Sequence, residues 1–332
     1  MRNSPSVVGL TLNFRDAART HDCVQSLLAD GVCHVLVWDN SEDGGASARV
    51  LRAALGAEKR VSIEISPVNL GFAAGVNHGI DWIVQQHPGA WVLLINNDAY
   101  LLPGAMAALR DALTNSTVAK LTYPDIDQGG RVTSTVYYQR WFGLLSKHPL
   151  PGSDAHASGC CLLLDPARTG SAVFDEDFFM YFEDIDWFWR LQLQNYKFDY
   201  AHSCTVRHAG HGSTGGKKLS YDRFLWRNSN TPRMLIKNLR IGTLCWIMPL
   251  YYTSYIIEYL LLHILGRRDL ARSYVDGMGV FTKNWRSLLK SRRITQHSRT
   301  VGDWPILKGM YPGIAKLHGL RSNGLPHLNG RI

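Results

Sequence analysis

The chain has 332 residues, a formal net charge of +9 and 45% hydrophobic residues, enough apolar material and length to exclude a disordered polyelectrolyte. The charge is divided unevenly: residues 1–216 carry −6 and residues 217–332 carry +15. The acidic part suits a cation site and the basic part an anionic surface.

The six cysteines are irregularly spaced and form no CxxC pair, which argues against structural zinc and for reduced thiols. The N-terminus runs directly into an apolar stretch without a signal-peptide pattern. The expected location is cytoplasmic, peripheral on the inner face of the cytoplasmic membrane.

In chain order, Val7–Asn13 reads as a buried strand, 17–28 as a helix, and 35–39 as a strand closed by the polar turn 40–45. Helix Ala46–Leu55, strand 61–66, helix 75–86 and strand Trp91–Ile95 follow. This alternation implies an α/β fold with a mostly parallel central sheet. Ligands bind such sheets beyond the carboxyl ends of the strands. Asn13, Asp39 and Asn96-Asn97-Asp98 all fall at those ends and should share one crevice. Residues 123–157 read as a loop-rich or short-strand insertion, 160–164 as a strand and 183–194 as a helix.

Residues 241–265 are apolar over a length that could span a bilayer. Pro249 and Glu258 interrupt the run, hydroxylated residues dilute it, and Lys237, Arg240, Arg267 and Arg268 flank it. An interfacial helical segment fits best, with an internal or oligomer-interface helix and a true span as alternatives. The expected division is therefore 1–240, carrying the chemistry, and a basic helical region, 241–332, in contact with a membrane.

Several short motifs could carry chemistry. Asp39 opens a turn and could bind a nucleoside edge, but turn-opening is the commoner role of such an Asp. In the stretch 69–79, Gly71 and Gly75 permit close backbone approach, and Gly75 precedes a helix whose N-terminus could face phosphate. The glycine spacing is not that of a dinucleotide fingerprint. Asp98 offers a hard oxygen ligand for a divalent cation, though a simple turn fits the motif equally well. Six carboxylates interleave with aromatics over 174–187, which is not how a solvated face is written. Glu183, Asp184 and Asp186 would cluster at a helix N-terminus, where either capping or general-base chemistry is available. His208 lies in a glycine-rich stretch and could ligate a metal.

Taken together and in this order, these elements resemble the family 2 glycosyltransferases, in particular their bacterial rhamnosyltransferase-like branch. The likeness rests on Asn13, Asp39-Asn40-Ser41, Asn69-x-Gly71-Phe72-x-x-Gly75-x-Asn77-x-Gly79, Asn96-Asn97-Asp98, the strand that follows Gly159, the acidic block through Glu183, Asp184 and Asp186, and His208 with Ser213. It extends over residues 6–240.

The resemblance implies a GT-A fold, a nucleoside-diphosphate sugar donor, Mg²⁺ or Mn²⁺ as cofactor, and inversion at the anomeric carbon. By the same resemblance, Asp39 contacts the nucleoside, and Asn13, Asn69, Gly71, Phe72, Gly75, Asn77 and Asn97 line the nucleotide-sugar site. Asp98 and His208 serve the metal, Asp184 is the general base, and Gly159 and Glu183 lie on the acceptor side. Where relatives carry an Asp-x-Asp motif this chain has Asn-Asn-Asp, which leaves one carboxylate there. Arg227-Asn228 matches a recurrent pair to which no role is assigned.

The expected activity is transfer of a deoxyhexose, with L-rhamnose from dTDP-rhamnose as the candidate, to a lipid-linked or cell-surface polysaccharide acceptor. A sugar nucleotidyltransferase should carry a glycine-rich basic loop after the first strand, and residues 12–16 contain none. A non-catalytic nucleotide-sugar-binding protein of the same fold is opposed by the retention of Asp98, Asp184 and His208. Only Tyr274, Phe281 and Trp285 interleave with the basic residues of the tail, so a membrane surface is favoured over nucleic acid. Any oligomer is expected to form through the C-terminal region.

Overall fold

The computed structural model describes residues 5–116, 121–127, 135–140, 144–146, 156–196, 199–209 and 221–313. The chain begins with β1 (Val7–Asn13), α1 (Ala17–Ala29), β2 (His34–Asp39), α2 (Ala46–Leu55), β3 (Val61–Ile65), α3 (Gly71–Gln86), β4 (Trp91–Ile95), β5 (Ala99–Leu101) and α4 (Ala105–Asn115). It continues with β6 (Leu121–Asp127), β7 (Thr135–Gln139), β8 (Leu144–Ser146), β9 (His156–Ala157), β10 (Cys161–Leu164) and α5 (Pro166–Thr169). After a 3₁₀ turn at Glu176–Phe178 come α6 (Glu183–Leu193), β11 (Asp199–His208), α7 (Tyr221–Asn238), α8 (Ile241–Ile264), α9 (Arg268–Lys283), α10 (Trp285–Ser298) and α11 (Trp304–Lys308).

The eight-stranded sheet has the order β3-β2-β1-β4-β10-β6-β11-β5. Strands β3, β2, β1 and β4 are parallel and joined by helical crossovers, as the alternating pattern predicts. The sheet as a whole is mostly parallel, as expected: β6 and β11 also pair parallel and run in the same direction as the first four strands, and only β10 and β5 oppose them. β10 inserts antiparallel between β4 and β6, and β5 pairs antiparallel with β11 at the edge. No crossover helix is needed to place β10 this way, which is why it lacks the βαβ rhythm of the first half. Strand β4 is buried at every position and α3 packs against its sheet through Val76, Ile80 and Ile83. A second core on the opposite face joins α1 and α4 to the sheet.

Two boundaries move in ways that matter for the site. α3 begins at Gly71, a full turn earlier than the apolar periodicity indicates. Within 123–157, β6, β7, β8 and β9 are present, while the remainder, like Ser213, lies outside the described residues.

A third core joins the two sides of the expected division at residue 240. Phe178, Ile185, Trp189 and Met234 pack with Ile247 and Tyr251 of α8, Ile306 of α11 and Met310. Each large apolar side chain buried there contributes roughly 1.5–3 kcal/mol. Through Ile247 and Tyr251, α8 thus contributes to the internal packing. Its C-terminal half exposes Ile256, Ile257, Leu260, Leu261 and Ile264. Among the described residues, no helix is long and apolar enough to cross a membrane.

Candidate active site

The parallel register of β1 and β2 sets Asn13 directly beside Asp39. Asn13 Nδ2 donates to Asp39 Oδ1 at 2.9 Å and to Ser41 Oγ at 3.1 Å. The Ser41 backbone N–H also donates to Asp39 Oδ1, and Asn13 Oδ1 accepts from Thr20 Oγ1 at 2.8 Å. Asp39 is 1% exposed, and its Oδ2 has no hydrogen-bond partner among the described residues. A buried carboxylate oxygen left over from a fully engaged network is a ready acceptor for a ligand donor.

At the end of β4, Asp98 is brought to His208 by the antiparallel pairing of β5 with β11. His208 Nε2 lies 3.1 Å from Asp98 Oδ1, and the Ala209 N–H donates to the Asp98 carbonyl. Burial pushes the Asp98 carboxyl up, yet His208, by hydrogen bond and by charge, together with Arg19 holds it below the usual carboxylate range. Asn97 Nδ2 donates to Thr20 Oγ1, which ties this turn to the Asn13 network.

These residues fit a divalent cation in part. Asp98 Oδ2 is buried and has no partner among the described residues, and it is the hard oxygen donor that Mg²⁺ or Mn²⁺ takes. In this conformation His208 orients that carboxylate from its other oxygen. Among the described residues, no group of three or more His, Cys, Asp or Glu gathers to complete a protein cage. Diphosphate oxygens and water would have to supply the remaining ligands.

Asp184 sits in the first turn of α6, where the helix dipole favours a negative charge. Its Oδ2 accepts from the Gly159 N–H at 2.8 Å, and its Oδ1 accepts from the Ile185 N–H. Position 159 has to be glycine here, since a Cβ would lie 2.9 Å from Asp184 Cβ. The next residue, Cys160, accepts the Asn96 N–H on its carbonyl, so a two-residue link spans the ends of β4 and α6. The Cys160 thiol is pushed well up by burial and by the nearby charges of Asp98, Cys23 and Asp184. Glu183 is also pushed well above the usual carboxylate range, by burial first and then by Asp184 and Asp186.

The glycine-rich stretch is used for close packing. Gly71 has φ 77°, and a Cβ there would lie 2.5 Å from the Phe179 carbonyl oxygen. That carbonyl accepts the N–H groups of both Phe72 and Ala73. The N-terminus of α3, expected to face phosphate, is therefore capped by protein. Cβ atoms at Gly75 and Gly79 would strike Leu12 and Leu10, so these two positions let α3 sit tightly on β1. Asn69 Oδ1 accepts from the Gly71 N–H, and Asn77 staples Phe174 through both its backbone N–H and its carbonyl.

The acidic block divides by role. Asp186 is fully buried and accepts from Arg190, Lys237 and Asn238, each at 2.8 Å. Asp175 pairs with Lys237 and Asp177 with Arg233, while Glu176 accepts from Asn77. Asp184 accepts from the backbone N–H groups of Gly159 and Ile185, with the buried Glu183 beside it.

Sequence reasoning overlooked α7 as a support for this site. Asn230 Nδ2 donates to the carbonyls of Phe178, Met180 and Tyr181 at 2.8–2.9 Å. Phe179, Tyr181 and Phe182 all have positive φ, a conformation costing on the order of 1 kcal/mol or more for each such residue. Asn230 and the stack of Phe179 on Trp226 hold this strained segment, which caps α3 on one side and leads into Asp184 on the other. The proximity of Asn230 to a segment so distant in the chain had no local sequence signal.

Comparison with known proteins agrees with this geometry. Residues 6–166 match the family described as Glycosyl transferase family 2. The chain is 28% identical over 280 residues to the N-acetylglucosaminyl-diphospho-decaprenol L-rhamnosyltransferase of two Mycobacterium tuberculosis strains, covering 75% of this chain and 88% of theirs. Among solved structures, the mannosyltransferase PcManGT from Pyrobaculum calidifontis, in complex with GDP-Man and Mn2+, aligns with a TM-score of 0.48 at 11% identity, over 92% of this chain and 86% of that one. The chain is a glycosyltransferase that uses a nucleotide sugar, and its residues 6–166 are the part that matches Glycosyl transferase family 2.

Proposed function

We propose that this enzyme transfers a deoxyhexose, with L-rhamnose from dTDP-rhamnose as the candidate, to a hydroxyl of a lipid-diphosphate-linked sugar, inverting the anomeric centre. The observation that carries this reading is the gathering of Asp39, Asp98 and Asp184 at the ends of β2, β4 and α6, linked through Gly159 and Cys160. The donor and acceptor classes are suggested by the activity for which the mycobacterial relative is named.

In the proposed mechanism Asp39 and Asn13 receive the nucleoside, and Asn97 borders the sugar diphosphate. Asn69, Gly71, Phe72, Gly75 and Asn77 shape the floor of the same site through α3. Asp184 accepts the proton of the acceptor hydroxyl, whose oxygen bonds to the anomeric carbon. The bond from that carbon to the diphosphate breaks, and the nucleoside diphosphate leaves with the electron pair. Asp98, oriented by His208, would hold Mg²⁺ or Mn²⁺, which when bound neutralises charge on the departing diphosphate. Glu183, whose carboxyl is pushed up by burial, and Gly159 border the acceptor.

The lipid-linked acceptor calls for a membrane surface, and α8 offers one. Ile256, Ile257, Leu260, Leu261 and Ile264 protrude beside Arg267, Arg268 and Arg272, an apolar and basic combination suited to anionic headgroups at the inner face of the cytoplasmic membrane.

A thermal-shift and hydrolysis screen of dTDP-rhamnose, UDP-galactose, UDP-galactofuranose and GDP-mannose with Mg²⁺ or Mn²⁺ tests the donor. The largest shift is expected with dTDP-rhamnose; a larger response to any other donor would reassign the sugar.

A further inference from the structure

Between α8 and α9 lies an open cleft of ≈520 Å³ lined by Tyr255, Ile256, Tyr259, Tyr274, Met278 and Gly279, among others. Its size is that of a small-molecule site, and its lining is aromatic and aliphatic with few polar atoms. Two of its walls, Ile256 and Val275, are more than half exposed and continue into the apolar ridge of α8. A soluble surface gains nothing by leaving such a trough open to water.

The surroundings of the cleft differ in chemistry. The turn joining α8 and α9 carries Arg267 and Arg268 beside the protruding Ile264 and Leu265, with Arg272 in the first turns of α9. Tyr255 and Tyr274 of the cleft are shared with a small polar recess formed with Arg227, Asn228, Ser254 and Glu258. Arg227 Nη2 donates to Glu258 Oε2 at 3.0 Å and to the Tyr274 hydroxyl at 2.9 Å. Arg227 adjoins Trp226, which stacks on Phe179 of the segment leading to Asp184. The apolar trough thus adjoins, through Tyr255 and Tyr274, a polar recess whose Arg227 is next in sequence to Trp226.

We propose that this cleft seats the hydrocarbon chain of the lipid-linked acceptor, with the Arg227 recess marking the end at which the polar head turns towards Asp184. The proposal rests on the lipid-linked acceptor assigned above. The complementarity is that of a long apolar chain: tyrosine rings and aliphatic side chains take the isoprenoid or alkyl chain, while Arg267, Arg268 and Arg272 stand at the turn joining α8 and α9, two of them paired with Asp269 and Asp276. It also gives Arg227 and Asn228 a place in the architecture that sequence reading could not assign.

Gly279 supplies a clean test, because a Cβ added there meets nothing within 4 Å. A Cβ at 279 enters open space at the lining of the cleft, so a larger side chain there is expected to occupy it, and replacing a helical glycine does not weaken the helix. The full-length Gly279→Phe variant is to be compared with Gly279→Ala and the parent enzyme. Two acceptors carrying the same sugar-diphosphate head are used, one on a long polyprenyl tail and one on a short alkyl tail. Gly279→Phe should raise KM for the long-tailed acceptor about tenfold, leaving its KM for the short-tailed acceptor, donor hydrolysis and Tm at parent values. Gly279→Ala should match the parent throughout. In parallel, a photoreactive polyprenyl diphosphate should label residues of α8 and α9 in the parent and lose that labelling in Gly279→Phe. Equal KM values on both tails, with labelling indifferent to Gly279→Phe, would overturn the cleft assignment while leaving the acceptor class intact. Failure of the parent to glycosylate either acceptor, with donor hydrolysis preserved, would overturn the acceptor class and the cleft assignment together.

Discussion

The Gly159 N–H donates to Asp184 Oδ2 at 2.8 Å, so the carboxylate proposed as the base is held by a backbone group on the strand-end side as well as by the Ile185 N–H of its own helix. Position 159 tolerates no side chain without moving that carboxylate, since a Cβ would sit 3.1 Å from Oδ2 and 2.9 Å from the Asp184 Cβ. Gly159→Ala should therefore lower kcat by about 10²-fold, the scale expected when a reacting group is displaced by roughly 1 Å. Donor affinity, measured by titration of the nucleoside diphosphate, should be unchanged. A variant with parent kcat would show that Asp184 does not need this contact.

Asn230 holds three carbonyls of the strained segment 178–181. Asn230→Ala leaves them without that donor, and denaturant unfolding should report a loss of about 2–3 kcal/mol, at roughly 1 kcal/mol per hydrogen bond. The kcat should fall as well, because the same segment sets the start of α6. Unchanged stability would mean that Phe179 and Trp226 suffice to hold the loop.

Asp98 and His208 make separable predictions about the cation. Removing the proposed oxygen ligand with Asp98→Ala should abolish metal-dependent turnover, and EDTA should do the same to the parent. His208→Ala removes the group that orients Asp98, and should weaken the apparent Mn²⁺ affinity about 10–100-fold without abolishing activity at saturating metal. The metal titration of kcat checks both. Parent-like titration in His208→Ala would sever the link between that imidazole and the cation.

Glu183 gives the protein a pH signature. Its folded pKa is raised above the ordinary 4.5, so its contribution to stability is fully present below that value and is lost as pH rises through the folded pKa. Asp186 works in the opposite direction: its folded pKa lies below 3.8, so its contribution is present above that value and is lost on acidification. Glu183→Gln should therefore gain stability relative to the parent as pH increases from 4.5, while acid unfolding through Asp186 is retained. Parallel stability curves from pH 4 to 9 would contradict the raised Glu183.

What could be read from the sequence follows from the range of the interactions involved. β1, α2 and β4 were legible to the residue because each is specified by its own apolar pattern. Asn13 and Asp39 could be placed together because parallel strands bring their carboxyl ends to one edge. The antiparallel insertion of β10 was not legible, since strand pairing across a long excursion leaves no local period. The early start of α3 was hidden for the same reason: the group that caps Phe72 and Ala73 is the distant carbonyl of Phe179. Within the acidic block, spacing alone could not separate Asp175, Asp177 and Asp186 from Asp184, because the partners that claim them, Lys237, Arg233 and Asn238, all lie on α7.

The assignment of Asp184 as general base is tested most directly by Asp184→Asn, which keeps the shape of the side chain and removes its basicity. Single-turnover transfer from the nucleotide sugar to the acceptor should slow by about 10²–10⁴-fold. The thermal shift produced by the nucleoside diphosphate with Mn²⁺ should equal that of the parent. Transfer at the parent rate, with nucleotide binding intact, would contradict the role given to Asp184.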